Sequence, residues 1–125
     1  AIGLLTVLGC VVWAAGLAVE TVADRQLARF RADPARRGQV LDSGLWRYSR
    51  HPNYFGEACV HAGCALMACT VPWGPVAFAA PLLLTHYLLN VTGVRTLEKK
   101  LLREKPGYAD YAARTSAFVP LPPRR

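Results

Sequence analysis

Apolar and polar positions along this chain separate into blocks instead of alternating. Residues 1–19 and 58–94 contain no Asp, Glu, Lys or Arg, and every charged residue falls in 20–57 or 95–125. A soluble domain of this size scatters charge along each surface element, so the segregation points to lipid. Residues 1–19 reach about 28 Å as a helix, close to the thickness of a hydrocarbon core. The helix is expected to run on through 20–30 into water and to break at Asp33-Pro34, before a loop around Arg36, Arg37 and Gly38. A second helix is expected from Pro52, which suits a first turn, with Ser49 as its cap. It runs apolar to Thr70 and stops at Val71-Pro72-Trp73-Gly74-Pro75. A third apolar run, 76–94, continues into a charged helical extension over 95–103, ended by Pro106-Gly107 and followed by a short turn at 108–114. The predicted fold is an all-α integral membrane helical bundle, a single domain over 1–125, with about three transmembrane helices and a cytoplasmic C-terminal helix.

The net charge of +7 is confined to the two polar blocks. Nucleic-acid binding does not suit a chain that is otherwise apolar; Lys and Arg held on the cytoplasmic side do. Orientation follows. The loops at Arg36-Arg37 and the Arg124-Arg125 tail face the cytoplasm, and Trp73 sits in the interfacial belt opposite, in an inner membrane of bacterial type. Cys10, Cys59, Cys64 and Cys69 all lie in apolar runs, where spacings of five turn successive positions by about 140° on a helix. They are expected to be reduced, small, lipid- or core-facing residues. No metal site is expected, because His61 and Cys64 make only two ligands. His61 and His86 lie within apolar spans and are expected as buried, hydrogen-bonded histidines before haem ligands. Lys99 to Lys105 are expected as a solvated face turned to lipid headgroups. The sequence opens inside an apolar run with no basic leader or cleavage motif, as a piece of a longer chain with further helices upstream would.

Chemistry concentrates at Arg47, Tyr48, Ser49, Arg50, His51, Asn53, Tyr54 and Glu57, where a polar loop becomes a membrane helix. A helix N-terminus offers unpaired N–H groups and partial positive charge to a phosphate, and Arg47 and Arg50 add bidentate donors. Arg and Tyr alone would make an ordinary headgroup anchor. Asn53 and Glu57 do not fit that description, since a carboxylate at the membrane edge is costly.

The string GLWRYSRHPNYFGE, with ETVAD before it and LEKKLLREKPGYADYAARTSAFVPLPP after it, resembles the membrane family catalogued as domain of unknown function 1295. That family resembles the C-terminal domain of steroid 5-alpha-reductases and sterol reductases, and more distantly isoprenylcysteine carboxyl methyltransferases. The resemblance covers the chain from about Val12 onward. It implies an NADPH site on the cytoplasmic side, with Asn53, Tyr54 and Glu57 lining the nicotinamide end. Asp24 and Arg31 match an Asp and a downstream Arg on the preceding helix, Arg95 and Glu98 an Arg and an acidic position on the last one. Tyr111 and Arg114 match a terminal Tyr and basic residue near the phosphates, and Arg47, Arg50 and His51 complete the expected cofactor set. Glu20 stands where the steroid enzymes have Asn. The proton donors of those enzymes lie upstream and have no counterpart here, so no catalytic acid is assigned.

The first expectation is therefore an NADPH-dependent reductase of a lipid-like enone, working within the bilayer. An S-adenosylmethionine-dependent methyltransferase of a lipid-borne acceptor is the alternative, disfavoured because that cofactor lacks phosphates for the arginines. A non-enzymatic membrane scaffold is the third, and it would tolerate changes at Asn53 and Glu57.

Overall fold

The computed structural model describes residues 3–91 and 93–124, all helix, turn or irregular chain with no β-strand among them. Ala1, at the head of the first apolar block, and Arg125, in the basic tail, lie outside the described residues. Helix α1 spans Leu4–Ala32. It ends where Pro34 cannot continue the ladder, and the Asp33 carboxylate accepts from the Ala35 N–H at 3.0 Å to cap a short 3-10 turn. Helix α2 spans Pro52–Ala68 and starts, as expected, with Pro52 in its first turn. Ser49 does not cap it. His51 is the N-cap residue, and the Ser49 hydroxyl instead accepts the His51 N–H at 3.1 Å.

The third apolar run is not one continuous α-helix. A 3-10 stretch, Gly74–Phe78, opens into α3 (Ala79–His86) and a π-turn (Tyr87–Val91) follows. Helix α4 then runs over Gly93–Glu104. Two helical stretches, Leu4–Ala32 and Gly74–Glu104, are long and apolar enough to cross a membrane. The 17 residues of α2 reach about 25 Å. Little of either long stretch is buried within the chain. Leu4, Val11, Val76 and Leu82 all stand exposed, as side chains facing lipid or further helices would.

Glycines spaced by seven set the antiparallel packing of α1 on α2. A Cβ added at Gly9 would meet the Gly63 carbonyl at 2.7 Å, and one at Gly16 would meet the Gly56 carbonyl at 2.7 Å. Only hydrogen fits in this seam, so the backbones approach closely, as small residues allow between membrane helices. Ala23 and Ala65 are buried along the same packing face.

Beyond the membrane segments, Gly107 takes the left-handed conformation (φ 87°) and turns the chain from α4 into α5, Tyr108–Arg114. Residues 115–121 return along the loop before α2, where Ser49 and Ser116 form an isolated parallel bridge.

Candidate functional site

The loop carrying the predicted motif is held from three directions. Trp46 is buried, and its indole N–H donates to the Ala23 carbonyl of α1 at 3.2 Å. From α5, the buried Tyr111 hydroxyl donates to the Trp46 carbonyl at 2.5 Å and lies 3.3 Å from that of Ser49. From α4, Glu98 Oε1 accepts from Arg50 at 2.5 Å and lies 3.1 Å from His51 Nε2. His51 is 2% exposed, and its ring stacks on Tyr54 at 5.4 Å between centroids. The carboxylate that answers Arg50 and the His51 ring is thus the chain's own Glu98.

Between the end of α1 and the facing side of α4 lies a cavity of about 90 Å³, lined by Leu27, Val40, Leu41, Trp46, Leu97 and Leu101 among its apolar residues. Arg31, Arg50, His51, Lys105, Tyr108 and Tyr111 complete the wall. Lys105 departs from the expected headgroup-facing role. Its ammonium donates to the Gln39 carbonyl at 2.9 Å and sits 5.2 Å from the centre of the Phe30 ring, turned inward. Leu97 and Leu101 share one side of α4, Lys105 just past its end continues their spacing, and Lys99, Lys100 and Arg103 face outward. Burial pushes the Tyr108 phenol up to about 12 and raises that of Tyr111 further.

A polar stripe climbs from this cavity along α1. Glu20, Asp24, Leu27 and Arg31 recur at helical spacing on one face. Glu20 has Glu57 of α2 and Asp24 as its nearest acidic neighbours, with His61 also within electrostatic reach. A Cβ at Gly56 would touch the Glu20 backbone, so Glu57 enters beside it. Asn53 is one turn before Glu57 and, in an antiparallel pair, runs alongside the turn of α1 that carries Asp24. The Asn53 Oδ1 is buried and has no hydrogen-bond partner among the described residues. No salt bridge to Glu57 forms among them either, since Arg50 pairs with Glu98 and Arg95 stands exposed.

The expected cofactor set is therefore divided. Asp24, Asn53 and Glu57 lie outside the cavity, on α1 and the first turns of α2, with Tyr54 stacked on His51; Arg31, Arg50, His51 and Tyr111 line the cavity. Arg47 and Arg114 border a separate polar cleft of about 250 Å³ beyond Tyr111, and Arg114 also pairs with Asp110 at 3.4 Å. Glu98 lies inside, engaged with Arg50 and His51, whereas Arg95 points away on the exposed side of α4. Lys105, Trp46 and Tyr108 belong to the cavity and were not foreseen in it. The spacing of Lys105 from Leu97 and Leu101 was the available signal.

The four cysteines are free, and no group of three metal-ligating side chains forms among the described residues. His61 and His86, expected buried, are exposed, and His86 Nδ1 hydrogen-bonds Asn90 at 3.3 Å across the π-turn.

One family's sequence model, described as a protein of unknown function (DUF1295), matches residues 1–115. No curated protein and no solved structure matches the chain.

Proposed function

The chain belongs to the DUF1295 family, and from the cavity between α1, α4 and the loop before α2, with the carboxylates and Asn53 above it, we propose that it is a membrane-embedded NADPH-dependent reductase of a lipid-like, enone-type substrate. The observation that carries this reading is the unpartnered, buried Asn53 Oδ1, two residues along the chain from His51, which lines a cavity whose wall also carries Arg31, Arg50 and Lys105. A buried acceptor without a donor costs about 1–3 kcal/mol, so a ligand amide or hydroxyl that supplies one is favoured there.

The residues suit an elongated ligand with an amide-bearing ring and phosphates. Asn53 accepts from the ring's amide, while Glu57 and Asp24 accept from ribose or amide donors. Their negative charge, with that of Glu20, also favours positive charge developing on a ring that gives up hydride. Arg31 and Lys105 hold phosphate charge at the rim. Leu27, Val40, Leu41 and Trp46 exclude water between the two ends. The cavity of about 90 Å³ admits a handful of water-sized groups, so it takes part of such a ligand and the remainder lies outside it. When bound, NADPH supplies the hydride; the chain supplies orientation, charge and dryness.

In this reading α1, α2 and the 74–94 run cross the bilayer, and the loops at 33–51 and 104–124 face the cytoplasm. The uncharged turn around Trp73, which is 83% exposed, lies on the far side. Parallel thermal-shift titrations of the detergent-solubilised protein with NADPH, NADH and S-adenosylmethionine test it. NADPH is expected to give the largest stabilisation. Equal shifts from NADPH and NADH would remove the phosphate argument, and a larger shift from S-adenosylmethionine would replace the reductase by a methyltransferase.

A further inference from the structure

Residues 115–121 leave α5 and run back along the loop that precedes α2. The Arg50 N–H donates to the Ser116 carbonyl at 2.8 Å, and the Leu121 N–H to the Tyr48 carbonyl at 3.0 Å. The Ser49 hydroxyl donates to the Phe118 carbonyl at 2.7 Å while accepting the His51 N–H. The Arg50 Nε donates to the Thr115 carbonyl at 3.1 Å. The Phe118 ring meets Phe55, on the first turn of α2, edge-on at 5.5 Å. Ser49 is fully buried under this strap.

Arg50 is thereby caught between two anchors. Glu98 takes one guanidinium nitrogen and the Thr115 carbonyl, just past α5, another, while Ser116 at the start of the strap takes the backbone N–H. A long side chain normally keeps several rotamers, and two fixed partners leave it one. His51 is fixed in the same way, through its own N–H to Ser49 and its ring to Glu98. None of residues 115–121 lines the cavity, yet they decide where two of its lining side chains point. The family match ends at residue 115, just where the strap begins.

We propose that the strap over residues 116–121 is a positioning element: by clamping Ser49 and Arg50 it holds the cavity wall in its binding geometry, so ligand affinity depends on a segment outside the ligand's reach. Its functional arm rests on the nucleotide reading above. Phe118→Ala, Phe118→Tyr and a chain ending at Thr115 would be compared with the full chain in detergent, well below its melting temperature. Two quantities are read: hydrogen exchange at the Arg50 and His51 amides, and NADPH affinity. Phe118→Ala and the truncation are expected to speed exchange at those amides at least about tenfold while amides around Gly16 keep their rates. NADPH binding should weaken by about tenfold or more, and Phe118→Tyr, which keeps the ring, should restore both. Unchanged exchange and affinity in both weakened chains would overturn the proposal, as would exchange that quickens equally throughout α1. If the truncated chain does not fold, Phe118→Ala decides alone. Faster local exchange in a protein whose unmodified form binds no NADPH would refute the nucleotide reading and leave the strap as the element that orders the loop.

Discussion

Glu57 lies beside Glu20 near the membrane edge, and no cation answers it among the described residues. A structural carboxylate would be placed against a partner; this one faces another acid. Glu57→Gln should therefore leave the melting temperature of the ligand-free protein unchanged or slightly higher, because it removes a like-charge contact. It should weaken NADPH binding by roughly ten- to hundredfold, the loss of a charge-assisted hydrogen bond of about 1.5–3 kcal/mol. A destabilised apo protein with its nucleotide shift intact would take Glu57 out of the site. Tyr108 and Tyr111 carry a pH prediction of their own. Burial favours the neutral phenol, so the folded chain holds these protons more tightly than the unfolded chain, whose tyrosines titrate near 10. Their contribution to stability is complete below about pH 10 and is lost as pH rises toward 12. Thermal melts between pH 8 and 12 should show that fall, and Tyr108→Phe should make it shallower. An alkaline limb unaltered by the substitution would assign it to other groups.

Helix α1 lies on α2 through a seam in which glycines bring the two backbones close. At Gly16 a Cβ would stand 2.6 Å from that of Cys59 and 2.7 Å from the Gly56 carbonyl, and backbone cannot step aside without separating the helices. Gly16→Leu should cost about 1–3 kcal/mol of stability or more. Because Glu20 and Glu57 ride on the same two helices, it should also reduce NADPH binding. Gly3→Ala, where nothing lies within 4 Å, is the matched control and should change neither. Melting curves of the two variants in the same detergent check this, and equal behaviour would mean that the seam is not what holds the pair. The 3-10 opening of the 74–104 stretch has a local cause in Pro75 and Pro81, neither of which can donate to the ladder.

For the molecule in its bilayer, the prediction is one of sidedness. Single cysteines at Gly38, Trp73 and Arg124, in a chain freed of its native cysteines, should label from opposite faces of sealed vesicles: Gly38 and Arg124 from one, Trp73 from the other. Trp73 is the suitable reporter in its turn, because neighbouring Gly74 is buried against the Ala68 backbone. Labelling of Trp73 and Arg124 from the same face would end the three-span arrangement. The basic residues of 95–125 and Arg50 also divide between two directions. Lys99, Lys100 and Arg103 face outward on α4, whereas Arg50 and Lys105 are drawn inward by Glu98 and the Gln39 carbonyl.

The blocks of charge and apolar residues were enough by themselves to place the helices, the Pro52 start, the stop at Asp33-Pro34 and the Pro106-Gly107 break. Each is a short-range matter of hydropathy and backbone geometry, which neighbouring residues carry among themselves. Sequence periodicity reports which face of a helix is apolar but not which neighbour it will meet. Arg50 with Glu98, Tyr111 with Trp46 and Lys105 with Gln39 are joined across 48, 65 and 66 residues. Whether Arg50 is a free phosphate donor or one already answered by a carboxylate depends on where α4 comes to rest. The same holds for Asn53, whose type and place were plain in the sequence. That its oxygen is left buried and unpartnered follows only from the packing of α1, with its heptad glycines, against α2.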